Sequence, residues 1–274
     1  MKELVNSMKR INHNLFTRYF KIWLLMAKNA FSAWLTRKSS VAVFLAGKII
    51  RYIFYFSSLY FLVERANGLA GYNAYQALFF TATYTFVDTF AQVLFRNVYT
   101  YRQMVVSGDL DLVLVKPINA LFRIVLGGPD IIDLITIPPI LFVLIYIGSF
   151  LNPTLTNVIY FILLLINSII ISLAFHIAIV AFGTITLEID HTMLIFRDLS
   201  SMGRIPIEVY KEPLKSLITY ILPIGIMMSF PAKAMIGLIS FWGVIGTLLV
   251  GVLLLILSLK YWQFALKKYT SASS

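Results

Sequence analysis

Cysteine is absent from this 274-residue chain, which excludes a disulfide framework, a thiolate metal site and thiol chemistry. Charge is scarce as well: Asp, Glu, Lys and Arg together make 13% of the residues, against about 25% in an ordinary soluble domain. Acidic groups number only 12 against 23 basic ones, and there are three histidines. No G-x-x-x-x-G-K-[ST] phosphate loop occurs, so nucleotide is not bound and split here by that route, and any ATP-driven work must come from a partner chain. What is plentiful is apolar surface, at 59% of residues and a mean hydropathy of +0.85. One core cannot hide that excess, so lipid is the solvent for much of the surface. A soluble enzyme, a nucleic-acid binder and a disordered linker are thereby set aside. The first 40 residues carry repeated charges and no isolated apolar stretch ahead of a small-residue cleavage site, so no removable leader is expected.

Crossing about 30 Å of hydrocarbon takes about 20 helical residues. Apolar runs of roughly that length occur at 41–63, 72–95, 131–150, 158–187, 214–230 and 235–259. The fifth is short, opens next to Lys215 and contains Pro223, so taken alone it also fits a re-entrant segment. Basic residues decide for six spans. With the N-terminus inside, 19 of the 23 fall in cytoplasmic segments: Lys2, Lys9, Arg10, Arg18, Lys21, Lys28, Arg37, Lys38, then Arg96, Arg102, Lys116, Arg123, then Arg197, Arg204, Lys211, Lys215, and finally Lys260, Lys267, Lys268. Only Arg65 and Lys233 fall outside, while Lys48 and Arg51 lie within the first span. A five-span chain would expose the three C-terminal lysines on the wrong side. The expectation is an all-α polytopic membrane protein, a single transmembrane domain over 1–274, with both termini cytoplasmic. Topology thus absorbs the net charge of +11, which calls for no nucleic acid.

Before the first span, Leu15, Phe16, Tyr19, Ile22, Trp23, Met26, Ala30, Phe31 and Trp34 recur at helical spacing, with Arg18, Lys21, Lys28 and Ser32 opposite. This predicts an interfacial helix over 14–38, since a crossing there would drag basic groups into lipid. The loop 97–123 is polar enough to lie outside the bilayer and should hold structure of its own. Tyr99 to Val106 fits a short helix ended by Gly108, Asp109 to Val115 fits another turn or two, and Lys116-Pro117 breaks it. Asp130 then reads as a helix cap with Asp133 three residues on, in the manner of a capping box; a paired-carboxylate site is the alternative.

Ionisable groups inside the spans are few. Asp88 sits eight residues before Arg96, about 12 Å from the cytoplasmic end, at a depth comparable with Arg51 in the antiparallel first span. A pair between Asp88 and Arg51 or Lys48 is expected, either fixing helix register or serving as a proton relay. His176 should hydrogen-bond between helices or touch substrate. Glu188, Asp190 and His191 match no metal-ligand spacing and read as a solvated helix end. Gly243, Thr247 and Gly251, four apart, form a small-residue ridge suited to packing within the subunit or to dimerisation.

Three stretches carry a resemblance. Tyr101-Arg102-Gln103, followed by Gly108-Asp109-Leu110-Asp111 and Leu114-Val115-Lys116-Pro117-Ile118-Asn119, resembles the G-x-L-D-x-x-L-x-K/R-P-x-N segment of type-2 ATP-binding-cassette permeases. Arg204-Ile205-Pro206-Ile207-Glu208-Val209-Tyr210, with Ile221-Leu222-Pro223-Ile224 and Phe230-Pro231-Ala232, is similar to that family around its fifth span. The ending Ala265-Leu266-Lys267-Lys268-Tyr269-Thr270-Ser271-Ala272-Ser273 looks like its G-L-K/R-x-Y-x-S-A tail, with Phe264-Ala265 where a glycine is frequent. The resemblance runs over essentially the whole chain.

It implies a six-span permease subunit in the cytoplasmic membrane of a prokaryote, paired with a second, identical or related permease. It also implies a separate ATPase subunit that binds ATP and magnesium, leaving no cofactor in this chain. Carried over residue by residue, the coupling element contains Tyr101, Arg102 and Gln103, with Gly108, Asp109, Leu110, Asp111, Lys116 and Pro117 shaping the turn after it. The expected activity is export of a hydrophobic or amphipathic compound such as a lipid-like molecule, drug or peptide. Alternatives are an ion-coupled carrier, which would need a denser set of intramembrane charges, or a non-transporting scaffold. An importer is disfavoured by short outer loops such as 64–71 and 149–157.

Overall fold

The structure, a computed structural model, describes residues 2–35 and 38–270, with side chains at 15–32 and 39–270. Its elements begin with α1 (Lys2–Leu35), α2 (Lys38–Arg65) and α3 (Ala74–Phe95), which runs on through a 3-10 turn into α4 (Tyr101–Val106). Then come α5 (Asp109–Leu114), α6 (Ala120–Leu126), α7 (Ile131–Ser149), α8 (Leu155–Thr186) and α9 (Ile189–Ser201). Short pieces α10 (Leu214–Ser216), α11 (Ile224–Met228) and α12 (Phe230–Met235) precede the last long helix, α13 (Phe241–Lys268). No strand occurs among the described residues, so the expected all-α class holds.

Polar side chains start the long helices where the apolar runs begin. Asn73 and Gln76 form a reciprocal capping box on α3, Thr154 caps α8 and Ser240 caps α13, each accepting from an otherwise orphan backbone N–H. Asp130 caps α7 through the amides of Ile132 (2.9 Å) and Asp133 (3.2 Å). The second half of the expected box does not form, because Asp133 turns away to Lys48 and the Asp130 amide donates to Val93 O instead (3.3 Å).

Five helices are long and apolar enough to cross a membrane: Ser39–Arg65, Ala74–Val106, Ile131–Ser149, Leu155–Thr186 and Phe241–Lys268. They correspond to the expected spans at 41–63, 72–95, 131–150, 158–187 and 235–259. Buried α3 is the axis, with Ala77, Phe80, Ala82 and Val87 fully covered. It runs parallel to α8: Phe79 meets Phe161 (ring centroids 5.3 Å apart), Phe95 meets His176 (5.0 Å), and Tyr101 hydrogen-bonds Thr184 (2.7 Å). Helix α7 runs the other way, with Asp130 beside Val93 and Gly148 against Phe79. So does α2, which meets α3 at Tyr60 and Tyr75 (6.1 Å) and at Tyr52 and Thr89 (3.4 Å). Helix α13 is parallel to α8, since Val244 packs with Leu164 and Trp262 with the Ile177–Ala181 region, and Asn167 Nδ2 donates to Thr247 O (2.9 Å). The small-residue ridge is therefore spent inside the subunit: a methyl at Gly251 would overlap the Asn167 amide oxygen.

Because α8 and α13 point the same way, the chain must travel back between them, and it does not do so through a continuous 214–230 helix. The return is made earlier, by α9 and the 3-10 turns Met202–Arg204 and Ile207–Val209. Ile189 starts beside Gly183 at the foot of α8, the Arg204 carbonyl accepts from Thr81 Oγ1 (2.9 Å), and Glu208 ends beside Tyr72 and ion-paired with Lys233. The expected 214–230 span is instead broken at α10, a π turn at Leu217–Ile221, α11 and α12. It dips from the Tyr72 end to Ile224, which packs with Val87 and Ile171, and climbs again through Met227, whose carbonyl accepts from Ser168 (2.5 Å), to Gly237 beside Asn157. Arg197, Arg204, Lys211 and Lys215, assigned by sequence to the cytoplasmic end, lie on this passage and after it. The sequence reading failed here because the passage carries Asp190, His191, Arg197, Asp198 and Arg204, which mask it from any hydropathy criterion.

The N-terminal helix is longer than the expected 14–38: α1 spans 34 residues and ends at Leu35, and residues 36 and 37 lie outside the described ones, as do 271–273 of the tail motif. Met26 is buried and Tyr19 packs edge-on against Phe122 (4.8 Å), whereas Phe16 and Leu25 stay exposed. Gly251→Ala should destabilise the fold by about 1–3 kcal/mol, the usual cost of overpacking. A thermal melt in detergent, compared with Gly246→Ala, where no neighbour lies within 4 Å, checks this.

Candidate functional site

Two places in the fold carry groups beyond what packing needs. The first is the end of the molecule formed by α4, α5 and α6. Gly108 links α4 to α5 with φ +78°, a left-handed conformation that a β-carbon disfavours, and Asp109 and Asp111 sit in the first turn of α5, where the helix dipole favours anions. The Ser107 hydroxyl donates to Asp109 (2.6 Å). Asn97 Nδ2 donates to Ile124 O (2.7 Å) and Arg123 O (3.3 Å), tying the end of α3 to α6. The Arg18 guanidinium donates to Pro117 O (3.2 Å) and the Asn119 amide to Tyr19 Oη (3.1 Å), so α1 is fastened to the same loop.

Apart from half-buried Gly108 and Asp111, the expected coupling residues divide into two sets. Tyr101 and Leu110 are fully buried, packed with Ile124, Val180, Ile189 and Trp262, and Tyr101 is further fixed by Thr184. They anchor the loop and present nothing outward. Arg102, Gln103, Asp109, Lys116 and Pro117 are exposed, and Arg102 pairs with Asp190 across to α9 (3.3 Å). Sequence reasoning missed the apolar members of that exposed face: Val106 is 63%, Leu112 60% and Val115 80% exposed. Their spacing after Arg102 and Gln103, at i+4 and onward, was the available signal. A groove of about 510 Å³ between Tyr99, Arg102, Val106 and Asp190 adjoins them.

The second place lies between α2, α3, α7 and α9. A cavity of about 430 Å³ is lined by Lys48, Arg51, Asp88, Arg96, Asp130, Asp133 and Arg197 among others. The pairing is not the one expected. Lys48 is taken by Asp133, and also donates to Thr136 Oγ1 (3.2 Å), while Arg96 pairs with Asp130 (3.6 Å). Among the described residues Asp88 has no ion pair within 4.0 Å; it faces Arg51, Arg197 and, in a smaller adjoining cavity, Arg204. Depth pointed to Arg51 or Lys48; Asp133, one turn into α7, takes Lys48, and Arg51 faces Asp88 across the cavity without an ion pair within 4.0 Å.

Of the remaining polar groups, His176 makes no hydrogen bond to a neighbouring helix among the described residues: Nδ1 donates to Ser172 O of its own helix (2.7 Å), and the buried ring packs against Phe95 and Phe196. Glu188 pairs with His191 (2.8 Å), and Asp190 points to Arg102, so this trio does not converge.

These features define a multi-pass helical membrane protein with a tethered, partly apolar face at its α4–α6 end and charged side chains clustered between α2, α3, α7 and α9. The model of the family described as ABC-2 family transporter protein matches residues 49–273, and the chain belongs to that family. It is thus a membrane component of transport, with the type-2 resemblance of the motifs upheld over most of the sequence. Neither a curated protein nor a solved structure gives a significant match.

Tyr101→Phe should cost about 1 kcal/mol through the lost Thr184 hydrogen bond. Arg102→Gln should cost much less, its partner being an exposed carboxylate. Denaturation of the two variants in the same detergent tests the division between anchor and outward face.

Proposed function

We propose that this chain is the permease subunit of an ATP-driven exporter, working with a separate ATPase subunit and a second permease, identical or related. The observation that carries the reading is the α4–α5 face: Val106, Leu112 and Val115 are exposed beside Arg102, Gln103 and Lys116, on a loop anchored from behind by buried Tyr101 and Leu110. Apolar side chains on a short, fixed, extramembrane face suit a protein partner. Displacement of that face would be passed to α8, α9 and α13 as rigid bodies, since packed helices shift between discrete arrangements and do not deform smoothly.

In this reading there are six crossings, the fifth made by α9 and its 3-10 continuation, with 210–236 forming a re-entrant dip. The α4–α6 end is cytoplasmic, as are both termini, in the cell membrane of a prokaryote. Connections at the opposite end, 66–73 and 150–154, offer little on which a substrate-delivering receptor could sit, which favours export. A secondary carrier is less well supported, because two of the charged groups around Asp88, Arg197 and Arg204, are arginines, which cannot relay protons.

The test is to purify the chain in mild detergent from its native membrane and identify co-purifying proteins by mass spectrometry. A stoichiometric ATPase is expected, and the Arg102→Glu, Gln103→Glu double variant should lower its recovery at least about tenfold, as reversing contacts worth ~1.4 kcal/mol would. Tyr101→Phe should lower it far less. Recovery of the chain with no ATPase would overturn the reading.

A further inference from the structure

Three arginines at membrane depth have exposed side chains that line cavities: Arg51 on α2, Arg197 on α9, and Arg204 in the 3-10 turn after α9. Among the described residues none has a carboxylate within 4.0 Å. The Arg51 guanidinium lies 5.5 Å from the Tyr52 ring, and that of Arg204 lies 5.4 Å from Tyr84. In the cavity that Arg51 and Arg197 line, Lys48 and Arg96 are already matched by Asp133 and Asp130. Asp88 alone is left to oppose three cations, so the local charge is positive and uncompensated. An arginine cannot shed its proton to escape this, so the anion it lacks has to be supplied from beyond the described residues.

The neighbouring space says what kind of anion. Tyr52 also lines a second cavity of about 510 Å³, running between α2 and α7 past Ile49, Ile53, Phe56, Tyr60 and Val143. From Ile49 to Phe61 this groove follows α2 for about 18 Å, comparable to one leaflet's hydrocarbon, half of the ~30 Å core. Its basic end is the end where α7 starts, at Asp130 and Asp133, and its apolar end reaches Tyr146, near the close of α7. A polar head drawn about 12 Å in from the α4–α6 end, with a chain directed toward the opposite side, is the shape of a lipid taken up from the leaflet facing α4–α6.

We propose that this joined pair of cavities binds an anionic lipid, its phosphate held by Arg51 and Arg197 with Arg204 alongside, and an acyl chain lying in the α2–α7 groove. Planar guanidinium groups match phosphate oxygens two at a time, which gives the head its specificity. The groove supplies affinity without choosing among chain chemistries. As the class of molecule handed to the transport pathway, this rests on the permease reading above; as a binding site, it stands by itself.

The full-length chain, purified in a neutral detergent, would be mixed with equal amounts of phosphatidylglycerol and phosphatidylcholine, and retained lipid read by native mass spectrometry. Retention of phosphatidylglycerol at least about tenfold above phosphatidylcholine is expected, the preference given by one or two charge-assisted hydrogen bonds. Arg51→Gln with Arg197→Gln should bring the ratio close to one, while Arg51→Lys with Arg197→Lys should keep part of it, which separates loss of charge from loss of fold. Ile53→Trp should lower retention of both lipids by filling the groove. Lys267→Gln with Lys268→Gln should change nothing. No preference in the native chain, an unchanged ratio in the glutamine variant, or an equal effect from the Lys267 and Lys268 control would overturn the proposal. Displacement of the preference by excess inorganic phosphate would also overturn it, assigning the arginines to a free anion. ATPase recovery is scored separately, so a lipid site without an ATPase, or an ATPase without a lipid preference, tells the two readings apart.

Discussion

The cost of an unmatched charge in hydrocarbon governs the arrangement of this chain. An ion at membrane depth must be paired, neutralised or turned toward something other than lipid, and the first and third solutions are used by different residues here. Lys48 and Asp133 use the first, tying α2 to α7 through a contact neither helix could make alone. Glu208 and Lys233 do the same between the return passage and α12. Arg51, Asp88, Arg197 and Arg204 use the third and collect around common cavities, in place of scattering over the lipid-facing surface. That collection fixes which face of α2, α3 and α9 can meet lipid and which cannot.

Backbone groups obey the same constraint. The broken stretch from Leu214 to Met235 would be costly in contact with lipid, because short helices and turns leave amides and carbonyls without internal partners. It is tolerated because α11 and α12 lie against α3 and α8, where Ser168 donates to Met227 O and Ile224, Met227 and Ala232 are buried. Gly203 and Gly225 permit this closeness: a methyl on the first would overlap Met228, and on the second would crowd Thr219 and Ile207.

What the sequence revealed and what it hid follow from this. The five long helices were legible because each is an apolar run bounded by a cap, a turn or a charge. The return passage was not, since Asp190, Arg197 and Arg204 give it the average character of a surface helix, and the greasier 214–230 stretch drew the assignment in its place. In the α4–α5 loop the helices and the Gly108 turn were readable from residue type. Which side of them faced outward was not: Tyr101 and Leu110 are inward only because α8, α9 and α13 end there, and no local pattern encodes the position of those ends. Asp88 shows the same gap. Its depth could be counted, but its neighbours depend on how α7 and α9 approach from elsewhere in the chain.

The two candidate regions are mechanically joined. Helix α3 passes from Asp88, through Phe95 against His176, into Tyr101 at the anchored loop, all within one run of helix and 3-10 turn. Helix α9 holds Asp190, paired with Arg102, in its first turn and carries Arg197 to the cavity two turns later. A force applied at the α4–α5 face therefore has two stiff routes to the same charges, one along α3 and one along α9. Aromatic packing of Phe95, His176 and Phe196 couples these routes midway, so α3 and α9 would move together. If they rotated against α2, whose outer face makes few contacts with the rest, the separation of Arg51 from Arg197 would change most. A site built across that boundary is one whose affinity such a motion can alter, which is the property a transported ligand requires of its binding site.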